Sequence, residues 1–86
     1  MITKQLIYDI ITFCNNYIDN KNIVFKVAKF PKGIYACFSI CKLCDKDNSI
    51  DFNICSIDEF ITNEKTFDKF KEKVLNQLPL ALEQIK

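Results

Sequence analysis

The chain contains no histidine, no arginine, one glycine and two prolines, and each scarcity removes a class of chemistry. Without His, a Cys or Ser nucleophile lacks its commonest activating base, and imidazole metal ligands are excluded. All 12 basic residues are Lys. Lys offers a mobile point charge where Arg offers a rigid two-pronged fork, so sequence-specific reading of base edges is disfavoured. A single glycine, Gly33, cannot build a Gly-rich phosphate cradle. No apolar run approaches the ~20 residues of a spanning helix, and no membrane association is expected. The five cysteines, Cys14, Cys37, Cys41, Cys44 and Cys55, are odd in number and follow no signal-peptide pattern. Free thiols in a reducing, cytoplasmic setting are expected.

What is present suits one small globular domain spanning residues 1–86. Hydrophobic content of 49% and charged content of 27% lie far from the disordered regime. A net charge of +1 creates no global field that would gather nucleic acid or an anionic surface. Abundant Ile, Asn and Lys with no Arg is the composition of an AT-rich coding sequence.

Hydrophobic spacing predicts a helix over 3–19, with Leu6, Ile10, Phe13 and Tyr17 beside a parallel row of Ile7, Ile11, Cys14 and Ile18. Thr3 is its expected N-cap. Period-two alternation predicts strands over 23–30, 34–43 and 49–55. Pro31 presets the first turn and Gly33 is expected to accept a positive φ at its exit. Asp45-Lys46-Asp47-Asn48 makes a second, polar reversal. Ser56-Ile57-Asp58-Glu59 fits a capping box opening a short helix over 57–62. Asn63 is expected to cap a longer helix with Phe67, Phe70, Val74 and Leu78 on one face, kinked or restarted at Pro79. Leu80, Leu82 and Ile85 extend its apolar surface. The fold class is α+β, in the order α-β-β-β-α(α): a three-stranded antiparallel meander with helices packed on one face. Phe38 and Phe52 are expected to face the helices, under Phe13 and Phe70.

Cys41-Lys-Leu-Cys44 is the only motif with chemical character. Cys37, Cys41 and Cys55 share a strand parity, but Cys37 and Cys41 stand roughly 13 Å apart along one strand, too far for one metal. With no second CxxC pair and no His, reduced thiols acting as small hydrophobes are expected, with neither metal nor cofactor. The acidic group Asp45, Asp47 and Asp51 misses the EF-hand pattern and reads as a solvated loop. No catalytic constellation is visible, and a non-enzyme is expected.

The sheet face opposite the helices carries Val24, Tyr35 and Cys37, with Phe30 at its end and few charges. Such faces mark association sites. The expected function is therefore a small protein-binding domain of inhibitor or adaptor type. Phage and mobile-element anti-defence proteins such as anti-CRISPRs, which occlude a host factor stoichiometrically, are of this type. Its expected contact residues are Tyr35, Val24, Phe30 and Cys37, and its partner is another protein, a second copy of the chain included. The alternative is a nucleic-acid-binding module whose lysines, Lys26, Lys29, Lys32 and Lys46, meet phosphate.

Overall fold

The computed structural model describes residues 2–44, 46–47 and 50–85, and of Asp51 the backbone alone. Asp45, Asn48 and Ser49 thus lie outside the described residues, as does the side chain of Asp51, so the expectation for the acidic group Asp45, Asp47 and Asp51 falls outside them too. The element order is α1 (Lys4–Asn15), β1 (Ile23–Phe30), β2 (Gly33–Leu43), β3 (Ile50–Ile61) and α2 (Glu64–Glu83). The strands form one antiparallel sheet in the order β1-β2-β3, giving the α+β class that the hydrophobic periods predict.

Thr3 caps α1 as expected, its Oγ1 accepting from the Leu6 amide at 3.1 Å. The helix ends earlier than the spacing predicts. After Asn15 the amides of Tyr17 and Ile18 reach back only three residues, to the carbonyls of Cys14 and Asn15. This tightened turn brings Tyr17 edge-on to Phe38 at 5.3 Å and leaves Ile18 exposed.

In β1 and β2 the alternation holds through the whole ladder, with Phe25 opposite Phe38 and Phe30 opposite Gly33. Ile34, Ala36, Phe38 and Ile40 point to the helices and are buried, while Tyr35, Cys37 and Ser39 point away. The β1–β2 turn is Pro31-Lys32, with Pro at the second of four turn positions and Gly33 at the fourth. Gly33 does not adopt a positive φ; its side-chain position is filled by the ring of Phe60.

Two expectations for β3 fail for physical reasons. Ile40 pairs with Cys55 but Cys41 pairs with Asn53, so Ile54 is an extra residue that shifts the register. A second shift follows between Lys42, opposite Phe52, and Leu43, opposite Ile50, so the start of β3 pairs irregularly. Phe52 pairs with Lys42 within this irregular stretch and does not join Phe38 in the core; it is half exposed, with the Lys42 ammonium 5.8 Å from its ring centroid. The second failure is the short helix over 57–62. Ser56-Ile57-Asp58-Glu59 is strand, and Ile57 and Ile61 are buried opposite Phe38 and Ile34. Continuing the strand satisfies both isoleucines and the backbone ladder, which one helical turn would not. Glu59, between them, is held by Lys73 of α2 at 2.8 Å.

α2 begins at Asn63, whose Oδ1 accepts from the Thr66 amide at 3.0 Å while Thr66 Oγ1 accepts from the Asn63 amide at 3.1 Å. It runs through Pro79 as one helix and is not restarted there. Pro79 is exposed, on the helix's solvent side. There the unpaired carbonyl one turn earlier remains within reach of water. Phe67, Phe70, Val74, Leu78 and Ala81 make the buried stripe; Leu82 and Ile85 pack against it, whereas Leu80 is exposed.

Both helices cover the same sheet face. Phe38 is fully buried at the centre, with ring centroids of Phe25, Phe70 and Phe13 at 5.8, 5.6 and 6.1 Å. Phe13 also meets Phe67 edge-on at 6.1 Å, tying α1 to α2. No polar side chain is buried among the described residues, and none of their helices is long and apolar enough to cross a membrane.

Candidate interaction surface

With α1 and α2 on one side, the opposite sheet face is left uncovered. An uncovered antiparallel face is ordinarily polar. Here its hairpin end is aromatic. Tyr35 of β2 lies directly opposite Phe60 of β3, and Phe60 meets Phe30 of β1 at a centroid distance of 6.2 Å, tilted by 48°. Phe30 and Phe60 remain 49% and 43% exposed, about half of each ring being left to water. With Pro31 and Lys32 these three rings line a shallow depression of about 550 Å³.

Of the contact residues expected from sequence, all four occupy this outer face, but not one patch. Phe30 and Tyr35 belong to the aromatic depression. Cys37 lies one outward position further along β2, its Sγ 3.8 Å from Ser39 Oγ. Val24 sits opposite Ser39, near the far end of β1, and is exposed but remote from the rings.

The Tyr35 hydroxyl donates to Asp58 Oδ2 at 3.2 Å. Its phenol is pushed up to about 12, first by its hydrogen bond to the Cys37 side chain, then by partial desolvation and by negative charge at Cys37 and Asp58. The ring is thereby pinned at its tip, and as a neutral donor it presents a stiff platform at the floor of the depression.

A second depression, of about 660 Å³, lies behind the same turn. Lys4, Lys29 and Lys32 line it with Ile2, Thr3, Ile7, Pro31, Thr62 and Asn63. Of the lysines proposed to meet nucleic acid, only Lys29 and Lys32 come together here. Lys26 is on the outer face, in the row that runs through Cys37 to Asp58. Lys46 lies beyond Leu43, at the opposite end of the sheet.

The cysteines do not converge. Cys14 is in the core, where burial pushes its thiol up to about 11. Cys37 faces outward. Cys41 is buried at the distal end, its amide donating to the Asn22 carbonyl at 2.8 Å and its carbonyl accepting from Asn22 Nδ2 at 3.0 Å. Cys55 packs against the core from the opposite face to Cys37, reaching Gln77 Oε1 of α2 at 3.9 Å. The shared parity expected of Cys37 and Cys55 is thus lost. No group of three or more metal-capable residues forms among the described ones.

Phe60 and Asp58 are the surface residues that the sequence reading leaves out, because their segment reads as a capped helix. The signal for a strand is Ile57 and Ile61 on one parity, with Asp58 and Phe60 on the other. No protein-family model, curated protein or solved structure matches the chain.

Proposed function

We propose that the chain is a non-enzymatic protein-binding domain of inhibitor or adaptor type, whose contact surface is the hairpin end of the uncovered sheet face. The observation that carries this reading is the cluster of Phe30, Tyr35 and Phe60, three rings held together on the side of the sheet that no helix covers. Aromatic anchors in a rigid frame are what interface hot spots are made of. Tyr35 has its hydroxyl fixed by Asp58, so little side-chain entropy is lost on binding. Binding that occludes a partner's surface needs no group beyond these, and it suits an inhibitor, including one of phage or mobile-element origin. The nucleic-acid reading is weaker, since Lys26, Lys29, Lys32 and Lys46 are distributed over two faces and both ends of the sheet.

The test is affinity purification from the native host with wild-type and Phe30→Ser/Phe60→Ser bait, with nuclease treatment before mass spectrometry. A protein retained by the wild type in stoichiometric amount, indifferent to nuclease and lost with the double variant, is the expected result. Recovery of nucleic acid alone, or of a protein that the double variant retains equally, overturns the proposal.

A further inference from the structure

We infer that the partner segment is acidic and carries one aromatic or large aliphatic anchor, seated across the β1–β2 turn between its two depressions. The inference rests on the outer face being the contact surface, and names the chemistry of what it contacts. Pro31 and Lys32 line both depressions, so the apolar and basic surfaces are continuous over the turn. The aromatic side offers Phe30, Tyr35 and Phe60 to an apolar side chain. The other side offers Lys4, Lys29 and Lys32, and no carboxylate lines either depression.

None of these three lysines is ion-paired among the described residues, whereas Lys71 and Lys73 are matched with Asp68 and Glu59. Glu64, at the start of α2, lines a neighbouring recess with Thr3, Leu6, Asn63 and Lys65. In a chain of net charge +1, three unmatched cations around one depression are a local excess. Carboxylates of a partner relieve their mutual repulsion, and electrostatic complementarity of this kind selects partners and speeds encounter.

Single-stranded nucleic acid also combines phosphates with stackable bases, but it requires a basic groove that tracks a backbone. Here the cations gather at one end, and the uncovered face beyond them bears Lys26 in the same row as the Asp58 carboxylate. Phe30 and Phe60 are tilted against each other rather than parallel, so they offer no platform for successive bases. An acidic peptide with an apolar anchor fits both surfaces at once.

A random-peptide phage library panned on the full chain tests this, followed by fluorescence anisotropy of labelled synthetic peptides. The variants are Phe60→Ser and Lys29→Glu/Lys32→Glu, each confirmed as folded by circular dichroism. Enriched peptides should pair Asp or Glu with an aromatic or Leu-like residue. Their affinity should fall at least about tenfold with either variant, the scale of a lost interface anchor. Replacing the peptide carboxylates by Lys should restore binding to the charge-reversed variant. Neutral apolar peptides that depend on Phe60 but ignore lysine reversal would overturn the acidic partner and leave the contact surface standing. Failure to enrich any peptide dependent on Phe60 would overturn both. A labelled oligothymidylate that binds while no peptide does, with affinity falling steeply in salt, would overturn the inference in favour of nucleic acid.

Discussion

The ring of Phe60 lies across Gly33 on the neighbouring strand, occupying the space where a side chain would begin. A Cβ on Gly33 would stand 2.6 Å from Phe60 Cζ and 2.9 Å from the Ile61 carbonyl oxygen, with Cε2 closer still. The ring is the mobile end of a half-exposed side chain, but the carbonyl belongs to the paired strand. Gly33→Ala should therefore destabilise the domain by about 1–3 kcal/mol, the usual cost of overpacking. Adding Phe60→Ala should recover only part of that loss, because the backbone contact stays. Urea melts of the single and double variants measure the coupling. Full recovery would place all the strain in the ring.

Phe38 and Phe52 were expected to be equivalent and are not. Phe38 is enclosed by Phe13, Phe25, Tyr17 and Phe70, so Phe38→Ala should cost about 3–5 kcal/mol, a large share of the stability of so small a domain. Phe52 lies beyond the Ile54 bulge and covers only its neighbours, so Phe52→Ala should cost less than about 1 kcal/mol. Equal losses in denaturant midpoint would show that Phe52 is enclosed in solution as Phe38 is.

The elements with long, clean periods were legible in the sequence. The apolar stripes of α1 and α2, the caps at Thr3 and Asn63 and the alternation of β1 and β2 all follow from local spacing. The bulge did not, since Ile50, Phe52 and Ile54 alternate as a helix-facing row would. Residues inserted at two points change the pairing without changing the pattern. The second half of β3 was hidden by a conflict of levels. Ser56 through Glu59 satisfies a helix-start template locally, while the pairing of Ile57 with Phe38 and of Glu59 with Lys73 is visible only in three dimensions. The candidate surface inherits the same division. Parity places Phe30 and Tyr35 on the outer face, whereas Phe60 joins them only once its segment is strand.

That conflict yields a direct comparison of two proposed caps. Asn63 holds the Thr66 amide at the start of α2, so Asn63→Ala should cost about 0.5–2 kcal/mol. Ser56 Oγ accepts from the exposed Asn53 side chain at 2.9 Å and caps no helix, so Ser56→Ala should change stability by less than about 0.5 kcal/mol. Thermal melts separate the two positions, and a larger loss at Ser56 would restore the helix in place of the strand.

Burial of Cys14 gives the fold an alkaline limit. Its thiol is raised from 9.0 to about 11 in the folded chain. Above pH 9 the unfolded chain releases this proton while the folded chain keeps it, so unfolding is increasingly favoured. The contribution is complete below pH 9 and lost progressively up to about pH 11. Chemical denaturation at several pH values should show this fall in the wild type and a flatter profile in Cys14→Ala, whatever that variant loses at neutral pH. An unchanged slope would mean that the thiolate is tolerated in the core.

Tyr35 should ionise above the ordinary range of a tyrosine phenol. Its phenol is raised from 10.0 to about 12, and phenolate absorbance should show one late component that Tyr35→Phe abolishes. The largest cause is the hydrogen bond to Cys37, with the Asp58 bond and charge following. Cys37→Ala should therefore move the late component toward pH 10 further than Asp58→Asn does. Stability should also decline between about pH 10 and 12 in the same sense as for Cys14, since the folded chain again holds the proton longer. In the proposed complex this pinned, neutral hydroxyl is part of the floor that a partner's apolar side chain meets. Tyr35→Ala should then weaken binding by ~2 kcal/mol or more with little change in melting temperature. Lys69→Glu, at an exposed position on α2 away from the turn, should leave affinity nearly unchanged. The reverse pattern, with Lys69 decisive and Tyr35 silent, would move the contact surface to α2.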